Sequence, residues 1–395
     1  MGSIAKLAGA FSTIFLLYLI FGCQDKEADI ERFMEDGVEV VVNHIEPYKI
    51  KGEPSSLLLE EEFTIDTERN EIAEIGVSDI EDFDIDSKGN IYFFQMLESD
   101  KNLVYKFDEN ANFVSTFGKK GQGPGEIEFP RYQYITPKGE IPIQDENRPI
   151  LFIFDGNGDL IKETKFDSES SGYLTFFPLQ NGNYLGHGLY FDRSTKHRGD
   201  LLTLFNSKFE KLKELDRCDY GKAITFTQQK KKFTPRVFIY QVSGKKIYVG
   251  HENRGYEILV YDLNANLVKK IRKKYNPVSV PDDFKEYLRA NIGRRVEDRL
   301  DFPENMPPFH YFFLDDEGRL YFKTYEKGDK PGDYIHDIFN SDGVFITRES
   351  IPGYGRRIYP WTALNRAKAK NHRLYCIREK TNGFKELVVY KMMWE

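Results

Sequence analysis

The chain has 395 residues, of which 15% are aromatic, with 32 Phe and 24 Tyr, and its formal net charge is −7. An acidic balance argues against a general polyanion binder, because affinity for nucleic acid rests largely on neutralising phosphates. Aromatic richness with recurrent Asn, Asp and Gly clusters favours strands over helices, so the expected class is all-β.

Lys6 precedes an apolar run from Leu7 to Gly22, which ends at Cys23 and is followed by Gln24, Asp25, Lys26 and Glu27. The run falls short of the roughly 18 to 20 residues that cross a bilayer, and no basic stop-transfer cluster follows. Residues 1–22 therefore read as a signal peptide. Ile20 at the third place before Cys23 and the small Gly22 just before it resemble a lipobox. That resemblance implies that Cys23 becomes an acylated N-terminus, where more than one acyl chain anchors stably. The plainer alternative is an ordinary secretory signal. Residues 23–54, with Asp25, Glu27, Asp29, Glu31, Glu35 and Asp36, are expected to form an acidic, solvated tether. The segment is also similar to acidic signals that some Gram-negative bacteria place behind a lipidated Cys. Cys218 and Cys376 are too few for a disulfide framework and read as buried small apolar residues.

Beyond the tether one pattern recurs: an apolar strand, a Gly-containing turn, a strand of the type Ile-Tyr-Phe, a variable loop, a strand of the type Leu-Val-Tyr, a tight turn and a last strand. Its copies run through Phe83–Phe94 with Asn102–Asp108 and Phe113–Gly118, then Gly139–Ile141 with Ile150–Asp155 and Asp159–Thr164. The third has Asn181–Tyr184, Leu201–Phe205 and Phe209–Leu212, and the fourth Lys246–Val249, Ile258–Asp262 and Asn266–Lys270. The fifth has Gly318–Phe322, Tyr334–Phe339 and Val344–Thr347, while the sixth, with Arg373–Cys376 and Leu387–Tyr390, lacks a last strand. Leu58–Asp66 precedes the first copy unmatched. It is expected to complete the sixth, burying Leu57, Leu59, Phe63 and Ile65. Nearly continuous apolar third strands suit sheets packed on both faces, whereas a two-sheet sandwich alternates more cleanly. Residues 55–395 are therefore expected to form a six-bladed β-propeller of four-stranded antiparallel blades, closed by the N-terminal strand.

The turns after first and third strands are short: Asp86–Asn90, Asp108–Asn112, Asp155–Asp159, Asp262–Asn266 and Asn340–Gly343. Asn, Asp and Gly suit the backbone such turns need, and calcium loops of the EF-hand type would require a different spacing. The long connections belong to the opposite face: 188–199, 218–236, 277–310, 326–333 and 352–361. Within the longest, Phe284, Leu288, Ile292 and Val296 stand at helical spacing and predict a short helical insertion between blades four and five, packed on the propeller.

These repeats resemble NHL-type propellers, and more closely the six-bladed β-propeller lipoproteins of Bacteroidota, over about residues 57–394. The most specific signature is the glycine-rich link Phe117–Glu126, which blades three to five lack. The resemblance implies a fold and an outer-membrane location, displayed on the cell surface or facing the periplasm. It implies little about activity.

Two functional classes follow. One is a non-enzymatic ligand- or protein-binding propeller, with the membrane as partner through Cys23. The other is a metal-dependent hydrolase or lyase working in the central channel, for which His187 and His251 near Gln144, Asp145 and Glu252 are the available ligands. An isolated strand-end His is more often a hydrogen-bonded structural residue. No nucleophile elbow, zincin motif or Walker loop is present, so neither catalytic residues nor a cofactor is assigned. Pro precedes a large side chain at Pro130-Arg131, Pro235-Arg236, Pro308-Phe309-His310 and Pro360-Trp361. Arg131, Arg236, His187, His251, His310 and Trp361 are therefore expected around the channel mouth, with Lys230, Lys231, Lys232, Arg356 and Arg357 adding positive field. An acidic glycan, a peptide carboxylate or an acidic envelope protein is the expected ligand, and nucleic acid is not.

Overall fold

Strands alternate with tight turns because each apolar run is closed by a residue whose side chain bonds its own backbone. A computed structural model describes residues 30–95, 102–131, 134–166, 173–222, 231–232, 237–291, 300–352 and 367–395. In the turn after the first strand of blade one, Asp86 Oδ1 accepts the amides of Lys88 at 2.8 Å and Asn90 at 2.9 Å. The same pair of bonds recurs at Asp108, Asp155, Asp262 and Asp315, and at Asn206 and Asn340. These carboxylates are occupied by turn formation, as the turn reading expects.

Six four-stranded antiparallel blades result, in chain order. Blade one contains Asp82–Ile85, Ile91–Phe94, Asn102–Phe107 and Phe113–Lys120, and blade two Pro130–Arg131, Ile141–Asp145, Ile150–Phe154 and Leu160–Lys165. Blade three contains Tyr173–Pro178, Tyr184–Phe191, His197–Phe205 and Lys211–Lys222, and blade four Phe238–Ser243, Lys246–His251, Glu257–Asp262 and Leu267–Lys273. Blade five contains Tyr311–Leu314, Leu320–Lys327, Tyr334–Phe339 and Phe345–Ile351. First strands of neighbouring blades meet, and last strands lie at the rim, where Val114, Ile161 and Leu212 are exposed. Every residue of Ile91–Phe94 and Ile150–Phe154 is buried, because blades cover both faces of the middle strands.

Blade six is Lys368–Lys370, Arg373–Glu379 and Lys385–Trp394, completed by Leu57–Asp66, which runs antiparallel to Lys385–Trp394 from Leu57 opposite Trp394 to Asp66 opposite Glu386. Ring closure by the N-terminal strand is as expected. Its burial is narrower: Leu57 and Ile65 are buried, Leu59 and Phe63 only half-buried, since a rim strand packs on one side alone. At the axis the ring is closed by Lys368, whose ammonium lies 2.8 Å from Asp84 of blade one.

The expected tether requires correction. Glu31–Glu35 and Val38–Asn43 form an antiparallel hairpin, and Val38–Asn43 adds parallel to Leu267–Lys273 at the rim of blade four. Asp36 and Gly37 have φ of 53° and 79°, the two left-handed residues of a tight hairpin turn. Val40 and Val41 are fully buried, and Glu35 is held by Lys270 at 2.6 Å and Arg272 at 2.7 Å. Glu35 is thus a complement to a basic rim strand, while Asp25, Glu27 and Asp29 lie outside the described residues. Asn43, also fully buried, donates to the carbonyls of Arg272 and Gly343 and accepts the Phe345 amide, stapling blade four to blade five.

The insertion between blades four and five contains a helix, Asp282–Asn291, whose Phe284 is buried with Val280, Met306 and Tyr325. Ile292 and Val296 lie outside the described residues. Cys218 and Cys376 are buried free thiols. No helix among the described residues is long and apolar enough to cross a membrane.

Candidate functional site

Second strands begin at the short-turn face and end at the face of long connections, so the last residues of each are delivered to that face. One repeat position within these strands is legible: five places after the turn glycine stand Phe94, Gln144, His187, Val249 and Lys323, counted from Gly89, Gly139, Gly182, Gly244 and Gly318. It is apolar in blades one and four and polar in blades two, three and five.

In blades three and four, His187 and His251 flank the ring of Phe238, stacked at 5.4 Å and 5.9 Å between centroids. Each imidazole engages a carboxylate of blade three, His187 within its own blade and His251 across from blade four. His187 Nε2 lies 2.7 Å from Asp200 Oδ1, and the Tyr220 hydroxyl donates to the other oxygen of Asp200. His251 Nε2 lies 3.5 Å from Asp216 Oδ1, within ion-pair reach but outside good hydrogen-bond geometry. Asp216 is also clamped by the Arg254 fork, at 2.6 Å on Oδ1. Burial pushes the Asp216 carboxyl up, but Arg254 and His251 outweigh it and hold it below the usual range. Small residues permit this packing: a Cβ on Gly250 would stand 2.5 Å from Ile258 and 3.0 Å from the Phe309 ring.

The two histidines are thus drawn together, but as parts of an aromatic and carboxylate lattice. Asp145 is likewise engaged, accepting the Glu128 amide at 2.9 Å and Arg148 Nε at 2.7 Å, while Glu252 accepts the Val237 amide at 2.7 Å. Among the described residues no group of three or more His, Cys, Asp or Glu is placed to hold a metal ion. Arg131 pairs with Glu146 at 2.6 Å, with its side chain 46% exposed. His310 packs its ring against Tyr311 and Tyr325, and its amide donates to the Lys323 carbonyl at 2.8 Å. Arg236, Trp361, Lys230, Arg356, Arg357 and Cys23 lie outside the described residues.

Lys323 was not anticipated. It is 8% exposed and stands in register with Tyr311 on one side and His336 on the other. Its ammonium sits 4.1 Å from the centroid of Tyr334 and 5.6 Å from that of Tyr311. His336, 1% exposed, donates from Nδ1 to the Tyr334 carbonyl at 3.0 Å, which leaves Nε2 an acceptor, sealed and without a partner. The sequence signal that pointed to Lys323 was its place in the repeat, where blade one has Phe94.

A family model described as 6-bladed beta-propeller, DUF5128, matches residues 65–341. The chain belongs to this family. Among solved structures, a DUF4221 member from Bacteroides vulgatus is similar at TM-score 0.51 and 11% identity, over 87% of this chain and 100% of that one. A protein of Bacteroides fragilis named as exported is similar at TM-score 0.48 and 11% identity, over 90% of this chain and 99% of its own. Virginiamycin B lyase from Staphylococcus aureus gives TM-score 0.42 and 9% identity over 86% of this chain and 100% of its own. At such identities these likenesses speak for the fold alone. No curated protein matches.

Proposed function

We propose that this family member is an envelope lipoprotein, anchored through Cys23 at the outer membrane, whose propeller binds a carboxylate-bearing ligand on the face of long connections without converting it. The observation that carries the reading is the division between the two faces. One is tiled by short turns whose Asp and Asn side chains are consumed by their own backbone. The other receives the outgoing second strands, which carry His187, Lys323 and, at its strand's last residue, His251, together with His310 and the ion pair of Arg131; Arg236 and Trp361, outside the described residues, are expected there from the sequence. Loops on a rigid scaffold are where recognition concentrates.

The location is supported by the lipobox-like Ile20–Cys23 alone. Cys23→Ala is expected to leave melting unchanged and to move the protein from the membrane pellet to the soluble fraction; sedimentation of the variant with washed membranes would sink the anchor. Binding is tested by saturation-transfer NMR of the purified chain with glucuronate and glucose. Selective transfer to glucuronate supports the reading, and stoichiometric tightly held metal in the protein purified without added metal would instead favour the hydrolase or lyase.

A further inference from the structure

We infer that Lys323 is the anion anchor of this face: its ammonium receives the carboxylate of a small organic acid, such as a uronic acid, beside the rings of Tyr311 and Tyr334. The inference deepens the proposed function and rests on it. Its ground is a contrast among the buried and half-buried cations. Lys273, 7% exposed, lies 3.3 Å from Asp337; Arg254 is clamped to Asp216 and Arg148 to Asp145. Arg131, the cation singled out from sequence, already has Glu146. Lys323 is more than nine-tenths buried, yet among the described residues no carboxylate lies within ion-pair distance of it. Its cross-strand neighbours Tyr311 and His336 are not anions, although that is where a sheet supplies a partner.

A buried charge without a counter-charge is costly, and two tyrosine faces recover only part of the loss. His336 Nε2 is sealed and without a partner, whereas Lys323 keeps 8% of its surface exposed to solvent. A ligand oxygen can reach it. The groups that face it are Tyr311 on the first strand, Tyr334 and His336 on the third, Cys376 on blade six and Lys327 on its own strand. Burial pushes the amine down to about 8, so the site is cationic at neutral pH and gains proton affinity when a carboxylate arrives.

The test uses the full chain with glucuronate and glucose as probes. Lys323→Met is expected to fold, with melting temperature equal or higher because a desolvated charge is removed, and to lose at least tenfold in glucuronate affinity. Trace acetylation of the unaltered protein, read peptide by peptide by mass spectrometry, is expected to slow at least fivefold at Lys323 with saturating glucuronate and not with glucose. Equal glucuronate affinity in the variant, or unprotected Lys323 beside demonstrable binding, overturns the anchor and leaves the binding face standing. Absence of any glucuronate binding by the unaltered chain overturns both.

Discussion

Lys323 and His336 face each other across two strands, and burial depresses the proton affinity of each, so both write a pH signature into stability. His336 is pushed from its ordinary 6.5 to about 3, largely by desolvation and then by the Lys323 charge. Between those values the unfolded chain binds a proton that the folded chain refuses. Its contribution is complete above pH 6.5 and is lost as pH falls toward 3, by about 3 kcal/mol at pH 4. Lys323, at about 8 against 10.5, has the same sense in a higher window: stability rises between pH 8 and 10.5, where the folded amine has given up a proton that the unfolded one still binds. Urea midpoints at pH 7 and 4 should differ less in His336→Gln than in the unaltered protein, and Lys323→Met should flatten the rise above pH 8. Unchanged slopes in both variants would mean that neither group is buried in the folded chain.

At the scale of elements, two N-terminal segments do different work. Leu57–Asp66 completes blade six, and burying Leu57 and Ile65 contributes about 1.5 to 3 kcal/mol each, a large part of the roughly 5 to 15 kcal/mol that holds a domain folded. Removing it also opens an edge on Lys385–Trp394. The hairpin of Glu31–Glu35 and Val38–Asn43 instead caps an already complete blade. A chain beginning at Asn43 is therefore expected to melt cooperatively at a lowered temperature, while one beginning at Thr67 loses its cooperative transition. Calorimetry decides, and a Thr67 chain melting within a few degrees of the full one would refute closure by this strand.

Over the whole molecule, closure pairs residues more than three hundred positions apart, as Leu387 with Ile65, so loop-closure entropy must be met before the last blade is stabilised. The ring should close late. Trp394 pairs with Leu57 and lies against Tyr321 and Arg319, which makes it a reporter of that step. In a Trp361→Phe background its fluorescence should reach the native value in the slowest refolding phase after dilution from urea. Recovery in the first phase, ahead of the backbone signal, would show that blade six assembles before the ring is complete.

The blade count, the closing strand, the helical insertion and the turn chemistry were legible in the sequence because each is encoded within a few neighbouring residues or repeated until the pattern is plain. Asp86, Asp155 and Asp262 announce their turns through bonds that reach only four residues ahead. Asp36-Gly37 carries an equally local hairpin signal, but where that hairpin docks depends on Lys270 and Arg272, which only the fold brings to Glu35. The same limit governs the candidate site. Composition reveals that Arg131 and Lys323 are cations, yet the charge each experiences is set by what other strands place beside it. Glu146 neutralises the first from fifteen residues away, and Tyr334, Tyr311 and neutral His336 surround the second. Backbone preference is a property of short segments, and electrostatic environment is a property of the assembled ring; the sequence determined the propeller, and tertiary structure alone decided that, among the described residues, the buried cation Lys323 has no counter-charge while the buried cation Lys273 has one.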